Sequence, residues 1–337
     1  MMKALVLKEY NTFTLEDVPL PECGEREVLI KVQACGICGS DVHGMDGSTG
    51  RRQPPIIMGH EASGTIASCG SAVTDWQPGD RVTFDSTVYC GECDYCREGR
   101  INLCTNRIVL GVSCDEYRQH GAFAEYVVVP EWILYRIPDG VSFAQAAMCE
   151  ALSIAVHACA RAQIKPFKRT LVVGAGMIGL LLIQTLKAYG AEHIIAVDVD
   201  EAKLAKAREY GADETILSTV PTDGIGIEAD TSFEVVGIAP SLQTAINGTR
   251  KGGEIVLIGN LSPQVDFLLQ QVVTREITLY GSCASSGEYP ECLDLLSQGK
   301  VDVDSFISAT APLAEGNDWF QRLYNKEGNL LKVILTP

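Results

Sequence analysis

The chain has 337 residues, about twice the size of an ordinary domain; 46% are hydrophobic and 21% charged, which suffices to bury at least one sizeable core. Lys and Arg number 27 against 43 Asp and Glu, a net charge of −16, the wrong sign for gripping a polyanionic backbone, so nucleic acid is excluded as an expected partner. Thirteen cysteines are unevenly spread and Met1–Leu7 lacks a long apolar leader core, so they read as thiols and metal ligands in a reducing cytoplasm, not as disulfides.

From Lys3 to Val129, short β-rich runs are broken by Gly and Pro. Ala4–Leu7, Glu27–Gln33, Ala62–Ala67, Arg81–Phe84 and Phe123–Val129 predict a strand-dominated domain with long functional loops. After Pro138 the pattern changes: helix Ala144–Ala162, strand Thr170–Val173, helix Gly179–Tyr189, strand Ile194–Val197, helix Glu201–Tyr210. Strands alternating with helices of this length imply an α/β unit with a parallel, doubly wound sheet. Further strands are expected at Phe233–Val236, Glu254–Ile258 and Ile277–Tyr280; a helix at Pro290–Leu296 and a strand at Leu330–Leu335 return to the first domain. Thr170–Leu186 is uncharged for 17 residues, close to a membrane-spanning length, but Gly174, Gly176 and Gly179 and the flanking Lys168 and Lys187 favour a strand, a tight turn and a buried helix, so no membrane association is expected.

Cys90, Cys93, Cys96 and Cys104 form C-x2-C-x2-C-x7-C in a polar loop with Gly91 and Gly99. Four thiolates this close can converge on one tetrahedral ion and leave no open position, which predicts structural zinc. A ferredoxin-type run would bring its fourth cysteine after three residues and before proline, whereas Cys104 follows after seven and precedes Thr105.

A second, open metal site is drawn from Cys38, in Cys35-Gly-Ile-Cys38-Gly-Ser40-Asp41-Val-His43, and from Gly59-His60-Glu61. Thiolate, imidazole and carboxylate are ordinary zinc ligands, and three protein groups keep a position for water or substrate. Cys35 and Cys38 also read as a CxxC redox pair, although no thioredoxin-like βαβ pattern surrounds them. Asp41 reads either as an orienting partner of His60 or as a loop cap.

Leu171-Val-Val-Gly174-Ala-Gly176-Met177-Ile178-Gly179 is a G-x-G-x-x-G that follows an apolar strand and opens a helix, the context in which glycines let a backbone approach a pyrophosphate at a helix N-terminus. Asp198 ends the next strand, 24 residues after Gly174, where a carboxylate accepts from ribose hydroxyls and repels a 2′-phosphate. Asp200 reinforces NAD over NADP, while Lys203 is a nearby cation able to line the adenosine pocket.

Together with Gly121-Ala-Phe-Ala-Glu-Tyr126 and Gly252-Gly253 before Ile255–Gly259, these motifs resemble, over essentially the whole chain, the zinc-containing medium-chain alcohol dehydrogenases. Within that family the sorbitol (polyol), sugar-alcohol-phosphate and threonine dehydrogenase branch is the nearer. The resemblance implies a GroES-like β-rich catalytic domain (1–147 and 287–337, with a zinc lobe near 88–106) interrupted by a Rossmann NAD-binding domain (148–286), with the active site in a cleft between them. Two zinc ions per subunit, NAD and a homotetramer or homodimer are implied with it, and Gly259 joins the cofactor residues. It also implies that Glu150, in Cys149-Glu150-Ala-Leu-Ser153, stands at the catalytic metal, with Glu61 and Glu150 free to exchange places and Cys149 as a rival ligand. Ser40 is implied as proton acceptor and His43 as the next step of a relay.

The expected activity is oxidation of a secondary alcohol on a small polyol or sugar-derived acid. L-Threonine 3-dehydrogenase-like oxidation of an amino alcohol is the runner-up, and a non-catalytic zinc- and NAD-binding sensor is the reading from a different class. A zinc-free quinone reductase of the same superfamily conflicts with the presence of Cys38 and His60.

Overall fold

The computed structural model describes residues 1–112, 119–218 and 226–337. They divide into two compact units, one comprising Met1–Glu150, Tyr289–Ser297 and Asp302–Pro337, the other Ala151–Glu288 and Gln298–Val301. Among the described residues, no helix is long and apolar enough to cross a membrane.

The first unit is built on strands. Glu27–Gly36, with Val28, Ile30 and Val32 buried, is the hub of a seven-stranded sheet: it pairs antiparallel with Glu61–Cys69, with Tyr126–Pro130 and with Lys332–Thr336. These side chains pack with Ile66, Val82, Phe84 and Phe123 into one core. Near its end, Gly36 lies opposite Glu61 on one neighbouring strand and Ile334 on the other. A three-stranded sheet adds Met2–Glu9, Thr12–Val18 and Ile56–Ile57.

The second unit holds a six-stranded, all-parallel sheet. Its strands, in spatial order, are Glu214–Leu217, His193–Asp198, Arg169–Val173, Ala229–Glu234, Thr249–Leu257 and Thr278–Gly281. Numbered along the chain this is the order 3-2-1-4-5-6 of a dinucleotide-binding fold, whose strand order reverses beside Arg169–Val173.

Among the predicted elements whose bounds differ from those observed, three bear on the site and its surroundings. The single helix expected over Ala144–Ala162 is two, Phe143–Ala147 and Cys149–Arg161; Ser142 and Gln145 form a reciprocal capping box on the first, and the second starts afresh at Cys149, which places Glu150 in a first turn. The strand expected at Phe233–Val236 runs over Ala229–Glu234, because the Glu234 carboxylate folds back to accept from the amides of Val236 (2.9 Å) and Gly237 (2.8 Å) and turns the chain out of the sheet. The run Phe123–Val129 enters the sheet only at Tyr126.

Candidate active site

The close of the hub strand brings Cys38 into place. Cys38 is the N-cap of the short helix Gly39–Gly44 and half-buried, while Glu61 (1% exposed) opens the neighbouring strand and His60 (6% exposed) immediately precedes it. The Cys38 sulfur, one His60 nitrogen and one Glu61 carboxylate oxygen lie within 4.8 Å of one another.

Two members of this trio, Glu61 and His60, have a second partner that aims them. Glu61 Oε2 is 2.5 Å from Nζ of Lys332, a lysine only 1% exposed that also donates to the Ile37 carbonyl (3.2 Å). The two side chains meet across Gly36; a Cβ there would collide with Glu61 Oε2 and stand 3.4 Å from Lys332 Cδ. Glu61 Oε1 is buried without a partner. His60 Nδ1 is 3.3 Å from Asp41 Oδ2, within ion-pair range although not aligned as a hydrogen bond, and this leaves Nε2 for a ligand. Asp41 is fully buried, and its Oδ1 accepts from Arg52 Nη2 (2.7 Å) and Nε (3.2 Å). Burial disfavours charge on Asp41, but His60 and Arg52 outweigh it and hold the carboxyl well below the ordinary carboxylate range. Burial likewise presses His60 down, and the Asp41 carboxylate and Cys38 sulfur more than offset it, so the metal-free imidazole titrates well above its ordinary value.

A divalent cation fits this arrangement. The orphaned Glu61 Oε1 is a buried anionic acceptor with no donor, and a thiol, an imidazole and a carboxylate are an ordinary zinc donor set that leaves a fourth position open. Ser40 borders it: its hydroxyl donates to Cys38 Sγ at 3.3 Å and is exposed. His43, three residues on along the same helix and also exposed, lies on the same face as Ser40. Glu150 is not one of the three convergent donors, yet it feels both His60 and Glu61; burial, aided by the Glu61 charge, pushes its carboxyl up to about 7. Cys149 is fully buried and does not join the set, with burial driving its thiol well above the ordinary range.

The cysteine loop folds locally around the helix Asp94–Arg97. Sulfur–sulfur distances are 3.5 Å for Cys93–Cys96 and 4.0 Å for Cys90–Cys96. A tetrahedral S4 site with Zn–S near 2.3 Å sets its sulfurs about 3.8 Å apart, so the thiols already have the spacing of the ion's corners. Backbone amides face the sulfurs: Cys93 N–H to Cys90 (3.4 Å), and Cys90 and Asn106 N–H to Cys104 (3.3 Å each). Amides of Thr105 and Cys96 lower the Cys93 thiol to about 6, which favours the thiolate a metal needs. All four donors converge within 4.8 Å.

In the second unit, Gly174 (φ +104°) makes the turn after Arg169–Val173, and Gly176 caps the helix Met177–Ala188 with open space where its Cβ would be, as a cradle for a pyrophosphate requires. Met177 and Ile178 are the first helical residues and half-exposed, and Gly179 abuts the Gly174 carbonyl. Asp198 accepts from the amides of Ala175 (2.7 Å) and Asp200 (3.0 Å), so its carboxylate is tied to the turn, and Lys203 Nζ stands 3.9 Å away. Asp200 caps the helix Glu201–Glu209 through the Ala202 amide. Gly259 packs against the backbone of Val236 and Gly237, at the carboxyl end of the fourth strand.

Comparison with known proteins matches residues 24–139 to the alcohol dehydrogenase GroES-like domain and residues 178–298 to the zinc-binding dehydrogenase family. A sorbitol dehydrogenase of Bacillus subtilis is 33% identical over 347 residues, covering 100% of this chain and 97% of its own length. The chain belongs to the zinc-containing medium-chain alcohol dehydrogenase family, polyol branch. An L-idonate 5-dehydrogenase of Vitis vinifera is 34% identical, with 88% of this chain and 84% of that protein covered. An alcohol dehydrogenase of Escherichia coli CFT073 crystallised with NADH superposes with a TM-score of 0.91 at 30% identity, covering 100% of this chain and 99% of that one. This medium-chain dehydrogenase is therefore a zinc- and NAD-dependent oxidoreductase acting on a small-molecule alcohol, with the GroES-like and Rossmann architecture expected of it.

Two residues of the dehydrogenase site were not anticipated from its sequence. Lys332 is a lone charge in the apolar run Leu330–Leu335, where a lysine reads as solvent-facing, and Arg52 in a polar loop after Arg51 reads as surface; the pairing of a strand end with Gly36 and the buried Asp41 explain why both are interior.

Proposed function

We propose that the enzyme oxidises the secondary hydroxyl of a small polyol or sugar-derived acid with NAD, through a zinc ion held by Cys38, His60 and Glu61. The buried, unpartnered Glu61 Oε1 beside the Cys38 thiol and the His60 imidazole carries this reading. The names of the sorbitol and idonate dehydrogenases support the substrate class. When bound, the cation lowers the pKa of a substrate hydroxyl and the nicotinamide supplies the hydride acceptor.

The chain's own groups then have separate tasks. Cys38, His60 and Glu61 hold the ion, with Glu150 as the neighbouring carboxylate able to exchange with Glu61. Ser40 Oγ, exposed beside Cys38, accepts the hydroxyl proton as it releases its own, and His43 on the same helix face passes the released proton to solvent. Asp41 fixes the imidazole orientation, and Cys90, Cys93, Cys96 and Cys104 hold a second, structural zinc. Gly174, Gly176, Met177, Ile178 and Gly179 cradle the pyrophosphate; Asp198, with Lys203 beside it, receives the adenosine ribose, and Gly259 lets the chain turn close to Gly237. We assign the alcohol chemistry to the first unit and the cofactor to the second.

A homo-oligomer is supported by the edge strand Thr278–Gly281 and by the exposed Leu269 and Val273 of the helix that precedes it in the chain, and a cytoplasmic setting by four thiols that must stay reduced to hold metal. NADH absorbance over sorbitol, other sugar alcohols, aldonates, their phosphates and L-threonine tests the substrate. Turnover of a polyol or aldonate is expected; turnover of L-threonine alone, or none on any substrate, refutes the proposal.

A further inference from the structure

We propose that Arg52 is a positioning residue for both halves of the open site, a single buried guanidinium that aims the metal-ligating imidazole through Asp41 and orients the proton-accepting hydroxyl of Ser40. The inference deepens the proposed function and rests on the roles given there to His60 and Ser40.

Arg52 is 3% exposed, and the structure spends its donors inward. Nη2 and Nε both reach Asp41 Oδ1, at 2.7 and 3.2 Å, and Nη2 also reaches Ser40 Oγ at 3.5 Å; Nη1 contacts the Arg51 carbonyl at 3.4 Å. With Oδ1 so occupied, Oδ2 is the oxygen that faces His60 Nδ1 at 3.3 Å, so the rotation of the carboxylate, and with it the pointing of the imidazole, is set by the guanidinium. On the other side, Ser40 Oγ donates to Cys38 Sγ while one of its lone pairs faces Nη2. The remaining lone pair is the one left for an incoming proton. At 3.5 Å the Arg52 contact is long for a hydrogen bond, so it orients the oxygen without trapping it.

The chain makes room for this arrangement. Gly44, at the end of the helix that carries Ser40 and Asp41, has its missing Cβ 2.7 Å from Arg52 Cγ, so the arginine stem lies where any larger residue would push it aside. A planar fork with several donors serves two acceptors at once; a lysine, with its compact ammonium, can answer Asp41 but not hold Ser40 in the same geometry.

The test uses the zinc-loaded full chain and the four-cysteine metal as an internal control. In Arg52→Lys, zinc at the open site should be lost to a chelator about 10–100-fold more readily than in the unchanged protein, the scale typical of a ligand's supporting partner, while the four-cysteine zinc is retained. With sorbitol as probe alcohol, kcat should fall, KM for NAD should stay unchanged, and the solvent deuterium isotope effect on kcat should rise. Unchanged zinc affinity together with unchanged kcat and isotope effect would overturn the proposal. Should Arg52→Lys fail to fold, Gly44→Ala carries the test, since it displaces the arginine stem without removing a polar group: selective weakening of the open-site zinc supports the proposal, and wild-type affinity and kcat sink it. His60→Ala separates this inference from the reading beneath it. If His60→Ala keeps both zinc ions, the open site itself is misassigned; if it loses one while Arg52→Lys loses neither, only the role of Arg52 falls.

Discussion

The two proposed metal sites meet the same chemical problem by opposite means. In the cysteine loop, donors 90 to 104 are neighbours in sequence, half-buried except for the buried Cys104, and have their charge stabilised by backbone amides. At the open site the donors come from a helix cap and the start of a neighbouring strand, His60 and Glu61 are buried, and their charges are balanced by Asp41, Arg52 and Lys332. A closed site can be stabilised by local main chain alone; a site that must keep a position free for substrate needs a scaffold of opposed side-chain charges to hold three donors where four would hold themselves.

The largest expected contrast is catalytic. His60→Ala should reduce alcohol oxidation by about a thousandfold, the several kcal/mol a Lewis acid contributes, while leaving the four-cysteine zinc bound; an unaffected rate breaks the distinction between the sites. Lys332→Met should be next. It strands the buried Glu61 carboxylate and should cost about 3–5 kcal/mol in metal-free protein, with added zinc restoring much of the loss; equal destabilisation with and without zinc, read by thermal melting, would argue that Glu61 does not meet the ion. Cys93→Ser should empty the structural site and expose residues 88–106 to protease, yet leave zinc affinity at the open site unchanged.

The smallest effect is a pH dependence. Burial raises the folded-state carboxyl of Glu150 to about 7, so the metal-free folded chain binds a proton that the unfolded chain has released above its ordinary value of 4.5. Stability from this group is therefore retained below about 4.5 and lost as pH rises towards 7. The metal-free protein should melt at lower temperature at pH 8 than at pH 5, and Glu150→Gln should flatten that slope; an identical slope in the variant would remove Glu150 from the buried set.

The same contrast decides what was legible beforehand. Cys90, Cys93, Cys96 and Cys104 announce themselves by spacing, and Gly174, Gly176 and Gly179 by their place between strand and helix, because in both cases the functional geometry is local. Cys38, His60 and Glu61 could be named from residue type. Lys332 could not, since its partner lies 271 positions away and only strand register at Gly36 reveals that the two meet. The helix break before Cys149 was equally silent: the alanine-rich run has neither Gly nor Pro at that point, and the capping box of Ser142 and Gln145 shows where the first helix starts without showing where it stops.

The placement of Lys332 also bears on how the protein matures in the cell. A ribosome that has made the cysteine loop has released everything needed to capture one ion, but Glu61 waits for its counter-charge until residue 332 has emerged and its strand has docked beside Gly36. Capture of the proposed structural ion is therefore expected to precede that of the reactive one, whose buried counter-charge arrives only with residue 332.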